Sequence, residues 1–228
     1  MRTVQPILFL ILVVVVGLSS ITLAFADSPL ELPVLVDEDF SKGAKRWEPL
    51  EKDGWKIVKL EKGKGYSQWK KKSTYRPPYR SPLHIALLRK INVGSFVLDA
   101  KVKSTIKDYN HRDVCLFFGF QDRAHFYYVH FGKRADPRAN QIFIVNKAPR
   151  IKISTKTTEG TPWDDEWHHL RVIRDVSTGK IEVFYDDMKT PIMIATDKTF
   201  THGRIGIGSF DDTAVWASVK LRGELVKK

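Results

Sequence analysis

The feature that most limits how this chain can fold is a series of short alternating segments between residues 163 and 214. Residues 167–174 and Lys180–Tyr185 alternate apolar and polar side chains, and a Val-Ser-Thr-Gly turn at 176–179 separates them. Residues 204–210 place two isoleucines on one side of the backbone and two glycines on the other. A period of two, with no helical repeat between the segments, indicates consecutive antiparallel strands. The sequence therefore predicts an all-β fold.

The upstream half of the chain shows the same period. Residues 95–103 carry apolar side chains at alternate positions, namely Phe96, Leu98, Ala100 and Val102. Residues 114–120 are apolar on both faces, which is typical of a central strand, and residues 125–131 carry Tyr128 and His130 on one face. Roughly twelve to fourteen short strands in a chain of this size favour two packed antiparallel sheets, a jelly-roll sandwich.

The first 26 residues read as a secretory signal peptide. Arg2 precedes an apolar run at 7–16, and residues 24–26 give the small-x-small pattern of a cleavage site. An uncleaved anchor is the alternative, because apolar residues continue almost to residue 26. Cleavage would leave no membrane span and would export the protein to the periplasm or the cell exterior. We divide the chain into a signal peptide (1–26), a linker (27–33), the sandwich (34–224) and a tail (225–228).

The charge balance limits the partners. The chain carries a formal net charge of +12, and removal of residues 1–26 takes away Arg2 and no acid, which leaves +11. This balance favours anionic partners such as acidic polysaccharide, cell-wall polymer or a membrane surface, although charge that only keeps the protein soluble is the alternative. Export argues against nucleic acid. The single cysteine, Cys115, excludes an internal disulfide and is expected to be a buried apolar residue.

The alternating segments also carry a family resemblance. The stretches WHHLRVIRD at 167–175, GKIEVFYDD at 179–187 and GRIGIGSFDDTAVWASVKL at 203–221 resemble the laminin-G and concanavalin A-like lectin/glucanase superfamily. Within it, VLVDEDF at 34–40, the pair Trp47 and Trp55, and SFDDT at 209–213 are similar to the 3-keto-disaccharide hydrolase domain group, which is family-16 glycoside hydrolase-like. The resemblance implies a concanavalin A-like sandwich and a function connected with glycans.

The catalytic carboxylates of family-16 glucanases have no counterpart here. Those enzymes carry an E-x-D-x-x-E strand, whereas the acids at 164–166 lie in a predicted loop and those at 186–187 in a turn. A retaining glycosidase needs two carboxyl groups about 5 Å apart on the sheet face. The Asn-Ser-Gly motif of the keto-disaccharide group is also missing, since residues 111–113 read His-Arg-Asp. Double-displacement chemistry is therefore not expected, and whether the protein is an enzyme stays open.

A saccharide site is expected where the middle strands lie side by side. Lectin-like sandwiches bind sugars on the concave sheet or at its rim, and Arg or Lys side chains would pair with uronate or sulfate groups. If the site is catalytic, the resemblance makes His130, Tyr128 or Asp113 the acid or base. The alternative is that Tyr128 and His130 pack under a loop and that Arg112 and Asp113 form an ion pair. The expected ligand-binding residues are His111, Arg112, Asp113, Tyr128, His130, Lys133, Gln141 and Arg150.

Four aspartates form a candidate structural calcium site. Asp37 and Asp39 end the first predicted strand, Asp211 and Asp212 end a late one, and the terminal strands of jelly rolls often lie side by side. Carboxylate oxygens are the ligands that calcium prefers. The alternative is that these side chains bond to their own turns.

A basic, aromatic segment follows residue 68, and its three prolines exclude a central strand. It forms either a glycan platform or a cover that packs across the open end of the sandwich. His168 and His169 are expected to be structural, since no Cys/His cluster at metal spacing indicates zinc. The residues of this segment that matter for either interpretation are Trp69, Tyr75, Arg76, Tyr79 and Arg80.

The sequence thus predicts an exported, lectin-like protein that binds a polysaccharide or oligosaccharide, with an acidic one favoured by the charge. The alternative is a hydrolase or lyase of the 3-keto-disaccharide hydrolase type. An envelope protein that interacts through its positive surface is a third hypothesis. The sequence sets neither the glycan nor the oligomeric state.

Overall fold

The computed structural model describes Met1 and residues 32–227. The predicted signal peptide after Met1 and most of the predicted linker lie outside the described residues, so both stay predictions. Residues 32–227 form sixteen strands and one short 3-10 helix, Lys52–Gly54. In this part of the chain there is no helix with the length and apolar character needed to cross a membrane.

The strands belong to two antiparallel sheets. In chain order they are β1 Val34–Glu38, β2 Trp47–Pro49, β3 Trp55–Lys59, β4 Lys64–Gln68, β5 His84–Leu88, β6 Val93–Ser104, β7 Asp113–Asp122, β8 His125–Gly132, β9 Gln141–Asn146, β10 Ile151–Lys152, β11 Ser154–Thr157, β12 His168–Arg174, β13 Lys180–Tyr185, β14 Met193–Thr196, β15 Arg204–Ser209 and β16 Ala214–Leu225. The nine-stranded sheet has the order β11-β14-β13-β12-β6-β16-β4-β3, with β1 also paired to β16. The seven-stranded sheet has the order β10-β9-β8-β7-β15-β5-β2. The predicted two-sheet sandwich is confirmed.

The main core lies between the sheets, and the period of two determines which side chains enter it. In β8, Tyr127 and Val129 belong to this core, whereas Phe126 and Tyr128 belong to a separate cluster on the opposite face of the same strand. The alternation predicted for β6 is also confirmed, since the core contains Phe96, Leu98, Ala100 and Val102. The middle strands are therefore apolar on both faces. One face packs in the core between the sheets, and the other belongs to the separate cluster.

The seven-stranded sheet carries a second apolar layer on its outer face, which we call the outer aromatic layer. Its rings pack closely, with centroids 5.0 Å apart for Tyr128 and Phe143 and 5.9 Å apart for Phe117 and Tyr128. Residues 73–82 cover it, because Tyr75 is buried in the layer and Tyr79 packs against it. The proline-rich segment therefore packs as a cover, on the sheet face rather than across the open end of the sandwich. The layer consists of Tyr75, Ile85, Leu87, Cys115, Phe117, Phe120, Phe126, Tyr128, Phe143 and Val145.

Two short segments differ from what the sequence alone predicts. Residues 151–154 read as a single strand in the sequence, but they belong to two strands, with β10 in the seven-stranded sheet, β11 in the nine-stranded sheet and Ile153 between them. The chain therefore passes from one sheet to the other at Ile153. β2 begins at Trp47, where the sequence predicts the end of a loop, and its three residues are too few to show a period.

Gly208 on β15 lies where a side chain does not fit. A Cβ atom at this position would be 1.9 Å from the carbonyl oxygen of His84 on β5 and 3.3 Å from Cε2 of Phe117. Ile205 and Ile207 point into the core, so the glycine faces the outer aromatic layer, as the alternation predicts. Glycine at this position lets Phe117 lie close to β15.

Candidate functional site

The candidate site is a cavity of about 390 Å³ at one end of the outer face of the seven-stranded sheet. Asp113 begins β7, His130 lies near the end of β8, and Phe210 directly follows β15. Because neighbouring antiparallel strands run in opposite directions, these three positions meet at the same edge. Loops after β4, β6, β8 and β9 supply the remaining walls, and we call the space the Phe210 cavity.

His130 and Asp113 form the inner wall of this cavity. The backbone N–H of Asn140 donates to Nδ1 of His130 at 3.2 Å, so the ring proton resides on Nε2. This Nε2 lies 3.4 Å from Oδ2 of Asp113. Burial, together with Arg150, lowers the pKa of His130 to about 3, and burial, together with Asp212, raises the pKa of Asp113 well above its usual value. The contact therefore joins a neutral ring to a carboxyl group that resists ionisation, and it is not an ion pair.

The carboxyl group of Asp113 also organises the surrounding backbone. Its Oδ2 accepts the N–H of Phe210 at 2.8 Å and faces the thiol of Cys115 at 3.5 Å. Its Oδ1 is enclosed and has no hydrogen-bond partner. Cys115 is fully buried, as predicted, and burial raises the pKa of its thiol well above the usual value. The end of β15 is thus held against β7 by a buried carboxyl group that keeps one acceptor atom unused.

A stack of flat groups forms the opposite wall. The guanidinium carbon of Arg150 lies 4.3 Å from the ring centroid of Phe210 and 5.4 Å from that of Phe143. Arg80 contacts the same Phe210 ring at 5.6 Å. Nη2 of Arg150 donates to the carbonyl oxygen of Arg138 at 3.3 Å, whereas its Nη1 is enclosed and has no partner. These contacts hold the plane of the Arg150 guanidinium in place.

The structure brings half of the predicted binding residues to the cavity. His111, Asp113, His130 and Arg150 line it. Gln141 pairs with His130 across β8 and β9, but its amide donates to the carbonyl oxygen of Asp136 at 3.1 Å. Its Oε1 is enclosed without a partner. Gln141 therefore supports the wall without lining it.

Tyr128 lies beneath the cavity, inside the outer aromatic layer. Its side chain is 0% exposed, and its hydroxyl group has no hydrogen-bond partner. Burial raises the pKa of this hydroxyl well above its usual value. The alternative that Tyr128 packs under a cover is therefore correct, and the tyrosine cannot reach a ligand without movement of that cover.

Arg112 and Lys133 do not belong to the cavity. Arg112 is 1% exposed and donates to the carbonyl and hydroxyl oxygens of Ser104, each at 3.0 Å, and to Asp165 at 2.8 Å. The expected ion pair between Arg112 and Asp113 is wrong, because the guanidinium reaches the end of β6 in the other sheet. Lys133 pairs with Asp108, and neither Arg112 nor Lys133 lines the cavity. The burial of Arg112 favours a structural role, whereas the predicted role of Lys133 in saccharide binding stays a prediction.

Several cavity residues were not predicted as part of the middle-strand site. Phe210 was noted only as part of the SFDDT stretch, and Arg80 only as part of the proline-rich segment. The remaining unpredicted lining residues are Lys71, Tyr109, Asp136, Arg138 and Ala139. The pairing of β15 with β7 brings Phe210 to the site, and no local pattern in the sequence indicates that pairing. The one sequence feature that could have drawn attention to Phe210 is its position directly before Asp211 and Asp212.

The four aspartates of the predicted calcium site do not meet. Asp37 pairs with Lys220 at 2.9 Å, and Asp39 accepts the hydroxyl proton of Ser41 at 2.6 Å. β1 pairs with the middle of β16, where Glu38 faces Val219, whereas Asp211 and Asp212 precede the start of that strand. Five residues of strand separate the two acidic pairs, which corresponds to about 17 Å. The first pair bonds to its own surroundings, as the alternative interpretation held.

Asp211 and Asp212 instead lie beside Asp113, with carboxylate oxygens within 4.8 Å of one another. Asp212 accepts the hydroxyl proton of Tyr109 at 2.7 Å and the backbone N–H of Asp113 at 2.9 Å. Burial raises the pKa of Asp212, as it does for Asp113. The exposed carboxylate of Asp211 is the most accessible of the three. A calcium ion at this end of the sandwich would therefore use Asp211 and Asp212 without Asp37 or Asp39.

The fold creates a cysteine–histidine cluster that no spacing in the sequence indicates. Side-chain atoms of Asp113, Cys115 and His130 lie within 4.8 Å of one another. The proton on Nε2 of His130 faces Asp113, and the raised pKa of Cys115 keeps its thiol protonated, whereas zinc requires a free ring nitrogen and a thiolate. The three residues therefore form a hydrogen-bonded group, and the expectation of no zinc stays a prediction.

The two strand-opening histidines have the structural environments that the sequence predicts. His168 is buried between Asp186 and Asp164, with ring nitrogen to oxygen distances of 2.8 Å and 2.9 Å. His169 contacts Asp99 at 2.7 Å on the outer face of the nine-stranded sheet. Both lie on β12 in the nine-stranded sheet, whereas the Phe210 cavity lies at β7 and β8 of the seven-stranded sheet.

Several solved structures have a fold similar to that of this chain. Carbohydrate-binding module CBM66 from Bacillus subtilis matches with a TM-score of 0.55 and 19% sequence identity, over 78% of this chain and 96% of the module. Domain 4 of AbnA, a GH43 extracellular arabinanase from Geobacillus stearothermophilus in complex with arabinotriose, matches with a TM-score of 0.55 and 9% identity, over 86% and 95% of the two chains. Lotus tetragonolobus seed lectin matches with a TM-score of 0.52 and 13% identity, over 85% and 99%.

The fold is a lectin-like, concanavalin A-like jelly roll. At these identities the likeness shows the fold alone. No protein-family model matches the sequence, and no curated protein matches it. The resemblance to the 3-keto-disaccharide hydrolase group is therefore not confirmed, whereas the fold that the wider resemblance implies agrees with the solved structures.

Proposed function

We propose that the protein binds a polysaccharide or oligosaccharide in the Phe210 cavity and prefers acidic sugars. The observation that carries the proposal is the lining of this cavity. Two guanidinium groups contact one aromatic ring, and a neutral histidine and a buried carboxyl group form the facing wall. Saccharides are bound by this combination of apolar surface with a few directed polar groups.

The size and position of the cavity support the proposal. A volume of about 390 Å³ lies within the range of roughly 300–1,000 Å³ that small-molecule sites occupy. The names of the similar structures add support, since they describe a carbohydrate-binding module, a seed lectin and an arabinanase domain with arabinotriose. The four basic side chains of the lining, Lys71, Arg80, Arg138 and Arg150, favour ligands of negative charge.

A glycan array followed by calorimetry tests the proposed function. We expect at least one saccharide to bind, and we expect Phe210→Ala to weaken its affinity by at least tenfold, because the ring positions both guanidinium groups. Ile57→Ala is the control, since Ile57 is 36% exposed and lies on β3 of the nine-stranded sheet, outside the cavity lining. Equal loss of affinity in both variants, or no saccharide bound by the unchanged protein, would contradict the proposal.

A glycan-processing hydrolase or lyase is the second candidate, and one contact favours it. Asp113 and His130 place an acid and a neutral base 3.4 Å apart in the cavity wall, which is an arrangement that acid–base chemistry can use. Each glycan that binds is therefore tested for turnover by reducing-sugar assay and by the absorbance of unsaturated products. Binding without turnover supports the lectin-like function, whereas turnover that His130→Ala abolishes supports the enzyme.

Export stays part of the proposal. We propose that residues 1–26 direct the chain to the periplasm or the cell exterior and are then removed, as their sequence pattern predicts. The N-terminal sequence of the protein recovered from the exported fraction checks this, with Asp27 expected as the first residue. Recovery of the intact N-terminus in the membrane fraction would instead support the anchor.

A further inference from the structure

We infer that Arg150 and Arg80 bind an oxyanion on the saccharide, a carboxylate or a sulfate group, beside the Phe210 ring. The inference rests on the proposed function and adds to it the residues and the chemical group that they recognise. A neutral sugar of the same shape is expected to bind less tightly. The contacts of the two arginines carry the inference.

Arg150 lines the cavity with a half-buried guanidinium whose donors are mostly unused in the described part of the chain. Its one side-chain hydrogen bond there runs from Nη2 to the carbonyl oxygen of Arg138 at 3.3 Å. A guanidinium carries five N–H donors, so most of its donor capacity is left for an acceptor outside these residues. An oxyanion is the acceptor that suits a guanidinium best, because the planar fork matches two oxygens at once.

Arg80 places a second guanidinium near the same point. Both groups contact the Phe210 ring, and the backbone N–H of Arg150 donates to the carbonyl oxygen of Arg80 at 3.1 Å. The backbone therefore fixes the two arginines beside each other although 69 positions separate them in the sequence. The positive charges of the two neighbouring guanidinium groups repel each other, and an anion bound between them would offset that repulsion.

Neither arginine forms an ion pair with a carboxylate of the described chain. Five other arginines do so, for example Arg112 with Asp165 and Arg204 with Glu48. Within residues 32–227, no carboxylate lies within ion-pair distance of Arg80 or Arg150. Among the described residues the charge of both guanidinium groups is therefore unbalanced, and an anion from a ligand or from solvent can pair with them.

The carboxylates in the cavity do not cancel this charge. Asp113 is fully buried, and its Oδ2 accepts the backbone N–H of Phe210 and faces the ring of His130. Asp136 accepts the backbone N–H of Arg138, so its carboxylate is used within its own loop. Asp211 is exposed at the rim. The interior of the cavity is thus more positive than its list of residues suggests, which favours an acidic ligand.

The test compares matched ligands on matched variants of the full protein. The probes are oligogalacturonate, its methyl ester, which has the same sugars without the charge, and a sulfated galactan oligosaccharide together with its desulfated form. Affinities are measured by calorimetry at low and at physiological salt for the unchanged protein, Arg150→Gln and Arg150→Lys. Arg46→Gln is the control, because Arg46 is exposed between β1 and β2 and its loss changes the net charge equally.

We expect one acidic probe to bind at least tenfold more tightly than its neutral form, with the difference reduced at higher salt. Arg150→Gln should abolish that difference and Arg150→Lys should restore only part of it, whereas Arg46→Gln should leave it unchanged. The affinity difference between oligogalacturonate and its ester, compared with that between the sulfated and desulfated galactan, identifies which oxyanion is preferred. Thermal unfolding of each variant confirms that it is folded before its affinity is used.

Two results would overturn the inference while leaving the proposed function intact. One is equal or tighter binding of the neutral probes in the same cavity. The other is an acidic preference that persists in both Arg150 variants, which would place the anion elsewhere. If no saccharide of any kind binds, including those of the glycan array, the proposed function fails first and the inference fails with it.

Discussion

The buried, neutral state of His130 predicts a specific loss of stability in acid. The side chain is 5% exposed, and burial together with Arg150 lowers its pKa to about 3, compared with about 6.5 for a histidine in the unfolded chain. Below pH 6.5 the unfolded chain therefore binds a proton at this residue that the folded chain does not bind. The free energy of unfolding must then fall as the pH falls toward 3, and rise again as the pH returns to neutral.

The size of this effect follows from the shift in pKa. Each pH unit between the two pKa values changes the free energy of unfolding by about 1.4 kcal/mol. Between pH 7.5 and pH 4.0, roughly 2.5 such units are crossed, so His130 accounts for a loss of about 3 kcal/mol. Titration of Asp113 contributes with the opposite sign, because its pKa is raised and its stabilising effect is present at low pH and lost as the pH rises.

The variant His130→Asn isolates the histidine. Asparagine retains an acceptor for the N–H of Asn140 but does not titrate, so we expect its unfolding free energy to fall by about 3 kcal/mol less than that of the unchanged protein between pH 7.5 and pH 4.0. Urea unfolding at each pH measures this difference. His111→Asn is the control, since His111 is an exposed residue of the same cavity. Parallel pH profiles for the unchanged protein and His130→Asn would refute the assignment of His130 as a buried neutral base.

Three further predictions concern packing, the thiol and calcium. Gly208→Ala forces a Cβ atom to within 1.9 Å of the His84 carbonyl oxygen, so we expect a loss of about 2–4 kcal/mol in urea unfolding, and an unchanged midpoint would contradict the close approach. Cys115 should react with a thiol reagent only at the rate of unfolding, because it is buried and its pKa is raised; fast labelling in native buffer would show that the outer aromatic layer is open. Calcium at a hundredfold excess over its Kd should raise the Tm by roughly 5–10 °C, and Asp211→Asn should abolish the effect, whereas a Tm that does not respond to calcium would rule out a site at Asp211 and Asp212.

The sequence predicts the parts of the fold that depend on local alternation. β6 and β8 are long enough for the period of two to determine which side chains face the core, and both faces agree with the structure. β2 was missed because its three residues show no period, and the passage between sheets at Ile153 was missed because β10 and β11 read as one strand. The predictable part is the direction of side chains along a strand, and the unpredictable part is which strands become neighbours.

The same distinction explains the candidate site. His130 and Asp113 could be placed near each other because β7 and β8 are consecutive antiparallel strands, although a register shift between Phe118 and Asp122 sets their final pairing. Phe210 and Arg80 could not, since they depend on the pairing of β15 with β7 and on the path of the proline-rich segment. Arg112 was misplaced for a related reason: it lies in the turn before β7, where strict alternation does not yet apply, and its side chain turns toward Ser104.

If the protein binds a glycan in the Phe210 cavity as proposed, the cover that residues 73–82 place over the outer aromatic layer limits how that glycan can approach. A sugar chain cannot run lengthwise across β7 and β8, because Tyr75 and Tyr79 already occupy the face of the sheet. It can only enter at the edge where β7 begins, and every unit beyond the first few then extends into solvent. A long polymer and a short oligosaccharide should therefore have the same affinity per molecule, so that the protein responds to the number of chain ends and not to the length of the chain.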